Sequence, residues 1–503
     1  MNYPILPRRV LPALSLVILA LFLAACTAQS SPPDAAGIVS LALEDCQLSY
    51  PGVSIPVQAR CGKLAVYEDR QAASGRTIDL NVAVLPSISR SPEPDPLFFL
   101  TGGPGQAATE SFVTLAGSFE RIRQKRTIVL VDQRGTGQSN PLDCPDGPEA
   151  TGDEAVDRAA MEEWLRACLT NLDADPALYT TPLAMQDLDA VRQALGYEKI
   201  NLYGLSYGTR AALTYLKMYP ERVRTVILDG VVPQDEALGL EVAQDAQRAL
   251  DLLFERCEAD AACSQTFPDL PGKFQQLMTG LEEGPQTVNF THPVSGAQET
   301  EPFTAPELAA TARLLSYTPE TAALLPLLVH TSATEERYDL LAAQSRLVTE
   351  DLTESISFGM NLSVLCAEDF PFMDPAAAEQ AARGTYLGNI QYDELEAMCA
   401  IWPQGEVPAD FKEPAAGNTP VLLLSGEADP VTPPQNALQV AETLPNSLAL
   451  TAAGQGHNVI IRGCMPQIAY EFIQSGSTQN LDTTCVEQIQ PSPFFLTFSG
   501  PQP

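Results

Sequence analysis

Three residues in this sequence are placed to carry out nucleophilic acyl chemistry. Ser206 lies in Gly204-Leu205-Ser206-Tyr207-Gly208, after the apolar run Ile200 to Tyr203. A helical pattern follows, with Ala211, Ala212, Tyr215, Leu216 and Tyr219 on one face, and Pro220 ends it. Strand, sharp turn and helix is the arrangement an exposed serine nucleophile requires. Flanking glycines allow a strained turn, and a helix N-terminus turns free N–H groups toward developing negative charge. A serine nucleophile also needs a base, and the chain has only three histidines, His292, His330 and His457. His292 falls in a loop-rich stretch and His330 ends an apolar helical run. His457 sits in Ala453-Gly454-Gln455-Gly456-His457, a glycine-rich loop after the last strand-like run, and is the expected base.

The acid that orients such a base is expected between the two in sequence, at a strand end. Leu424-Ser425-Gly426-Glu427-Ala428-Asp429-Pro430 offers Asp429 as the first choice, with Glu427 and the earlier Asp229 as alternatives. Oxyanion donors are expected from the N–H of Tyr207 and from the turn Thr101-Gly102-Gly103-Pro104-Gly105, where Gly103 is favoured over Gly102. A phosphate loop does not fit this turn, because no Lys-Ser/Thr pair completes it.

The elements that must position these residues are legible as alternating patterns. Apolar runs at Lys63 to Val66, Ile78 to Val84, Leu97 to Leu100, Thr127 to Val131, Ile200 to Tyr203 and Val223 to Leu228 read as strands, several of them buried on both faces. From Pro233 to Asp410 the segments turn mostly helical (Glu241 to Arg256, Pro306 to Leu315, Pro319 to Val329, the last kinked at Pro326), with a loop-rich patch from Gly284 to Pro302. Strands then resume at Pro420 to Leu424 and Ser447 to Thr451. The expected class is α/β: an α/β-hydrolase fold with a mostly parallel sheet and an inserted, largely helical cap. The boundaries are a signal segment at 1–25, a tether at 26–40, core at 41–232, cap at 233–410, core again at 411–485 and an irregular tail at 486–503.

The N-terminus carries Arg8 and Arg9, an apolar run from Val10 to Ala25 and then Leu23-Ala24-Ala25-Cys26, the order of a secretory signal whose last residues resemble a bacterial lipobox. Cleavage before Cys26 and its acylation are expected, leaving the chain exported and lipid-anchored to the cell membrane or outer membrane, on the periplasmic or extracellular side. No later stretch is long and apolar enough to span a bilayer. Removing residues 1–25 takes two arginines and no acids, so the formal charge goes from −34 to −36. Such a charge repels phosphate backbones and excludes nucleic acid as a partner. Besides Cys26 there are ten cysteines, and an even number in an exported chain reads as disulfides. Pairing neighbours in order gives 46 with 61, 144 with 168, 257 with 263, 366 with 399 and 464 with 485. No histidine lies near a cysteine cluster, so no metal site and no cofactor are expected.

With these residues in place, the chain resembles the prolyl aminopeptidase and tripeptidyl aminopeptidase family of α/β-hydrolases. The resemblance rests on Gly102-Gly103-Pro104-Gly105, on Asp132-Gln133-Arg134-Gly135-Thr136-Gly137-Gln138-Ser139, on Gly204 to Thr209, on Gly426 to Pro433 and on Gly454-Gln455-Gly456-His457. Asp132 and Arg134 are read as scaffold residues. Thr101 and Tyr207 stand where many prolyl aminopeptidases carry His and Trp, so the chain is closer to the tripeptidyl branch. The resemblance implies a serine exopeptidase acting on short peptides with a free N-terminus. It also implies that acidic cap residues hold the substrate ammonium, with Glu368 and Asp369 of Val364-Leu365-Cys366-Ala367-Glu368-Asp369 in that role. A carboxylesterase on the same scaffold and a non-catalytic surface binding lipoprotein are the alternatives.

Overall fold

The computed structural model describes residues 41–148 and 154–500. The expected signal segment, Cys26 and the tether lie outside the described residues. Eleven strands occur among the described residues, and nine of them form one sheet in the order β1-β2-β3-β5-β4-β6-β7-β10-β11. They are β1 (Glu44–Leu48), β2 (Val57–Tyr67), β3 (Thr77–Leu85), β4 (Leu97–Leu100), β5 (Ile128–Val131), β6 (Ile200–Leu205), β7 (Val223–Asp229), β8 (Gln286–Thr291), β9 (Gln298–Phe303), β10 (Val421–Gly426) and β11 (Ser447–Ala452). From β5 to β11 every pairing in the sheet is parallel. β1, β2, β3 and β5 pair antiparallel at the other side.

β4, β5, β6 and β10 are buried at every position. This explains their largely apolar sequences, because both faces of a parallel sheet are covered by helices. The helices that bear on the site are α1 (Ala108–Leu115), α2 (Thr181–Ala194), α3 (Tyr207–Met218), α4 (Val242–Ala259), α5 (Ala305–Leu315), α6 (Phe358–Glu368), α7 (Ile390–Cys399), α8 (Pro434–Ala441) and α9 (Met465–Ser475). α2, α3 and α8 close one face of the sheet around Leu202, Val226 and Leu423. α1 and α9 close the other around Phe99, Tyr203 and Leu422.

Between β7 and β10 the chain makes a largely helical insertion with its own apolar core, in which Leu253, Phe274, Leu308 and Leu328 meet. Two expectations change here. The stretch read as loop from Gly284 to Pro302 contains the antiparallel hairpin of β8 and β9, which buries Val288, Phe290 and Phe303 on one side. Its alternation is only three apolar residues deep and is masked by exposed polar neighbours. The helix expected from Pro319 to Val329 with a kink at Pro326 is instead two helices, Pro319–Ala322 and Leu325–Glu335, and Pro326 occupies the first turn of the second, where a missing N–H is tolerated. The tail is irregular in backbone, yet Phe494 is buried in the insertion core and lies under the Arg256 guanidinium.

Five disulfides join neighbouring cysteines as expected: Cys46–Cys61, Cys144–Cys168, Cys257–Cys263, Cys366–Cys399 and Cys464–Cys485. They fit a chain that folds in an oxidising compartment. Cys366–Cys399 ties α6 to α7. Among the described residues no helix is long and apolar enough to cross a membrane.

Candidate active site

Ser206 stands between β6 and α3 with φ 54° and ψ −127°, a backbone state that a side-chain-bearing residue adopts only under constraint. The constraint is visible. Its N–H donates to the Asp229 carbonyl at 2.9 Å, and its carbonyl accepts from the Thr209 N–H at 2.8 Å and hydroxyl at 2.6 Å. The glycines of the motif allow contacts that a side chain would block. A Cβ on Gly208 would lie 2.4 Å from the Leu100 carbonyl oxygen, and one on Gly204 would lie 2.4 Å from that of Gly208. Gly208 can therefore pack against the end of β4, and the turn can close over Gly204, only because both are glycine.

His457 lies beside this turn. Gly230 follows Asp229, whose carbonyl holds Ser206, and a Cβ on Gly230 would lie 2.8 Å from His457 Cε1. His457 Nδ1 is 2.7 Å from Asp429 Oδ2, and Asp429 is wholly buried. Asp429 also accepts from the N–H groups of Val431 and Thr432 at 2.9 Å each, and from the Thr432 hydroxyl at 2.7 Å. Burial alone would raise the Asp429 pKa, but the His457 charge and these donors outweigh it and hold the carboxyl below its usual range. Burial pulls the His457 imidazole down, and the charge and hydrogen bond of Asp429 more than compensate, so its net shift is upward. The His457 backbone N–H donates to the Tyr317 carbonyl at 2.8 Å, and the Tyr317 ring meets the imidazole edge to face at 5.3 Å. With Nδ1 occupied by Asp429, the imidazole has Nε2 left to exchange a proton.

The rival groups have other partners. Glu427 accepts from the Gly454 N–H at 2.8 Å, and Asp229 accepts from the N–H groups of Val459 and Ile460 and from the Tyr203 hydroxyl, all at 2.9 Å. Asp229 thus fixes the segment just after His457. His292 is 2.9 Å from Glu350 and accepts from two N–H groups of the hairpin turn, and His330 packs on Phe267. No group of three or more His, Cys, Asp or Glu able to hold a metal ion occurs among the described residues.

Gly102 and Gly103 close the site from the β4 side. Gly102 is buried, and a Cβ on it would lie 3.0 Å from Ser206 Cβ, whereas Gly103 is exposed with φ +105°. The loop is held from the insertion: Asn361 Nδ2 donates to the Pro104 carbonyl and Ser357 N–H to the Gly105 carbonyl, both at 2.9 Å. Asp132 and Arg134 are buried scaffold groups. Asp132 accepts from the Thr109 N–H at the start of α1 and from Asn81, and Arg134 makes a bidentate pair with Asp187.

Glu368 and Asp369 are both engaged by other groups of the protein. Both are wholly buried. Glu368 accepts from the Thr181 N–H at 2.5 Å and hydroxyl at 2.7 Å, and the same hydroxyl is 2.6 Å from the Tyr207 phenol. Burial raises the Glu368 pKa to about 7, against the opposing pull of Thr181. Burial, then the Glu368 charge, push the Tyr207 phenol upward, so it stays protonated. Asp369 Oδ1 takes Arg210 at 2.6 Å, the Leu238 N–H at 2.9 Å and Lys412 at 3.1 Å, while Oδ2 is enclosed without a partner. Neither acid lines the adjoining cavity. Together they join the end of α6 to the first turn of α3, and so tie the insertion to the segment carrying Ser206.

That cavity encloses about 590 Å³ among the helices of the insertion. It adjoins the site through Asn361 and Ile356, neighbours of the Gly102–Gly105 loop, and through Arg313, which donates to the Tyr317 hydroxyl at 3.2 Å. Its wall is mainly apolar, with Glu394 an acid that makes no hydrogen bond or ion pair among the described residues. Glu394 is exposed, yet the surrounding wall is dense enough that burial, followed by the Asp393 charge, raises its pKa.

Thr432, Gly230, Tyr317, Thr181 and Glu394 were not singled out by the sequence. Thr432 carried a local signal, since an Asp-Pro turn followed by a hydroxyl residue bonds back to the aspartate. The others reach the site only through tertiary packing.

Residues 95–283 match the family described as alpha/beta hydrolase fold, and residues 385–485 match the one described as TAP-like protein. The chain is 25% identical over 475 residues to serine protease Hip1 of Mycobacterium tuberculosis, covering 88% of this chain and 90% of that protein. It is 24% identical over 499 residues to a tripeptidyl aminopeptidase of Streptomyces lividans, covering 90% and 87%. It is 26% identical over 468 residues to carboxylesterase B of Mycobacterium tuberculosis, covering 85% and 86%. Sheet order, strained serine turn and matched segments agree: the chain has the α/β-hydrolase fold, and its residues 385–485 are similar to the TAP-like family.

Proposed function

We propose that the protein is an exported serine aminopeptidase that releases short peptides from the N-terminus of peptide substrates through an acyl-enzyme. The observation that carries the reading is the 2.7 Å pair of His457 and Asp429 set against the Asp229–Gly230 segment that fixes Ser206. Ser206 Oγ attacks the scissile carbonyl while His457 Nε2 takes its proton. The C–N bond then breaks as the same proton passes to the leaving amine, and water repeats the sequence on the ester. Asp429 fixes the imidazole orientation and stabilises its charged form. The N–H of Tyr207, with one from the exposed Gly103, meets the oxyanion. Glu394 takes the role first given to Glu368 and Asp369, because it is the acid left free in the cavity wall to meet an ammonium. The names of the relatives Hip1 and tripeptidyl aminopeptidase support a peptidase, and the disulfides and N-terminal sequence support export with a lipid at Cys26.

A carboxylesterase is the second reading, favoured by the name of one relative and by a triad that serves both reactions. A panel of unblocked mono-, di- and tripeptidyl arylamides, each paired with its N-acetylated form, separates the two. An aminopeptidase loses the acetylated substrates. Equal rates on blocked and free forms would overturn the aminopeptidase reading.

A further inference from the structure

Arg313 is a cation without a carboxylate partner in a chain with an excess of 34 negative charges. It ends α5, lines the cavity, and forms no ion pair with any described residue. Its Nη2 donates to the Tyr317 hydroxyl at 3.2 Å, its Nε is enclosed without a partner, and its Nη1 donates to no described group. The guanidinium carbon lies 5.8 Å from the centre of the Tyr317 ring, and Nη1, at the forked N–H edge, is uncommitted among the described residues. Arginine binds carboxylates through this edge, in planar and often bidentate form.

Its position indicates which end of a substrate it would meet. Tyr317, one turn after Arg313, packs its ring on the His457 ring, and its carbonyl accepts from the His457 backbone N–H. His457 delivers a proton to the departing amine, so the leaving fragment moves out on the imidazole side. Arg313 is therefore on the side of the leaving group, while Gly103 and Tyr207 face the acyl carbonyl. Glu394 supplies the opposite charge in the same cavity wall.

We propose that Arg313 binds the carboxylate of the departing fragment, so that the enzyme selects short peptides with a free C-terminus over longer or C-terminally blocked chains. This rests on the peptidase reading for its biological sense but not for its test. The cavity volume suits a ligand the size of a few residues. An acidic chain disfavours anions at long range, so a carboxylate is accepted only where a local cation compensates.

The test is binding to the Ser206→Ala protein, measured by titration calorimetry with three peptides: tetra-alanine, tetra-alanine amide, and tri-alanyl-aspartic acid with its α-carboxyl amidated. Tetra-alanine is expected to bind about tenfold or more tightly than its amide, the scale of a charge-assisted pair. Recovery by the aspartyl amide would identify a side-chain carboxylate as the ligand recognised, and no recovery would identify the C-terminus. Adding Arg313→Gln is expected to bring acid and amide within about twofold, with Arg313→Lys keeping part of the preference. Equal binding of acid and amide to the Ser206→Ala protein, or a preference that survives Arg313→Gln, would overturn the proposal. Absence of turnover in the unmodified protein would instead count against the peptidase reading and leave this binding comparison intact.

Discussion

Substituting Gly230 by alanine tests how tightly the imidazole is placed. The added Cβ would lie 2.8 Å from His457 Cε1, 3.1 Å from the Thr432 hydroxyl and 3.2 Å from His457 Nδ1. Carbon atoms rest at about 3.5 Å or more, so the ring must withdraw by roughly 0.7 Å or tilt away from Asp429. Gly230 also has φ +69°, which costs an alanine about 1–2 kcal/mol. Stability should fall by that amount, a few degrees in Tm at most for a chain of this size. Activity should fall much further. A displacement approaching 1 Å at a proton-transferring group is worth about a hundredfold, so kcat/KM on a tripeptidyl arylamide is expected to drop by about two orders of magnitude. Thermal unfolding and steady-state kinetics on the same preparation separate the effects, and the rate of fluorophosphonate labelling of Ser206 should fall in parallel. Wild-type kcat/KM in a folded Gly230→Ala protein would refute the assignment of His457 as the base.

Two other changes follow from the electrostatics. His457 must be neutral to accept a proton, and its pKa is held above the ordinary imidazole value, so kcat/KM should rise with pH through a midpoint above about 6.5. Asp429→Asn should move that midpoint downward and reduce kcat by about 10⁴, as the loss of an orienting carboxylate does in other triads; an unmoved midpoint would contradict the pairing. Glu368 has a folded-state pKa raised from 4.5 to about 7, so the folded protein keeps a proton there that the unfolded chain loses. Its contribution to stability is therefore present below pH 4.5 and is lost as pH rises to about 7. Glu368→Gln, which can keep both Thr181 contacts, should flatten urea-unfolding stability across that window. A wild-type slope there would show that Glu368 titrates normally.

Much of the core was readable because its causes are local. The buried runs of β4, β5, β6 and β10 are apolar at nearly every position, and Gly204 and Gly208 mark a turn that permits no side chain. His457 was reachable by elimination among three histidines. β1 was not seen, because Glu44, Asp45 and Gln47 leave it only Cys46 and Leu48 as apolar positions and its place depends on pairing with β2 and the Cys46–Cys61 bond. The surroundings of the insertion's acids were not legible for a related reason. Sequence shows that Glu368 and Asp369 are charged, but not that Thr181 and Arg210 come back from distant elements to occupy them. Glu394 and Arg313 had no local mark, since being unpartnered is a property of tertiary surroundings.

The central claim is that Ser206 carries the acyl group of a peptide cut from its free N-terminus. Acid-quenching the enzyme during turnover of an unblocked tri-alanyl nitrophenyl ester, followed by proteolysis and mass spectrometry, tests it most directly. The account predicts a tri-alanyl mass increment on the fragment containing Ser206, abolished in Ser206→Ala. Continued turnover with no adduct on Ser206, or an adduct on another residue, would contradict it.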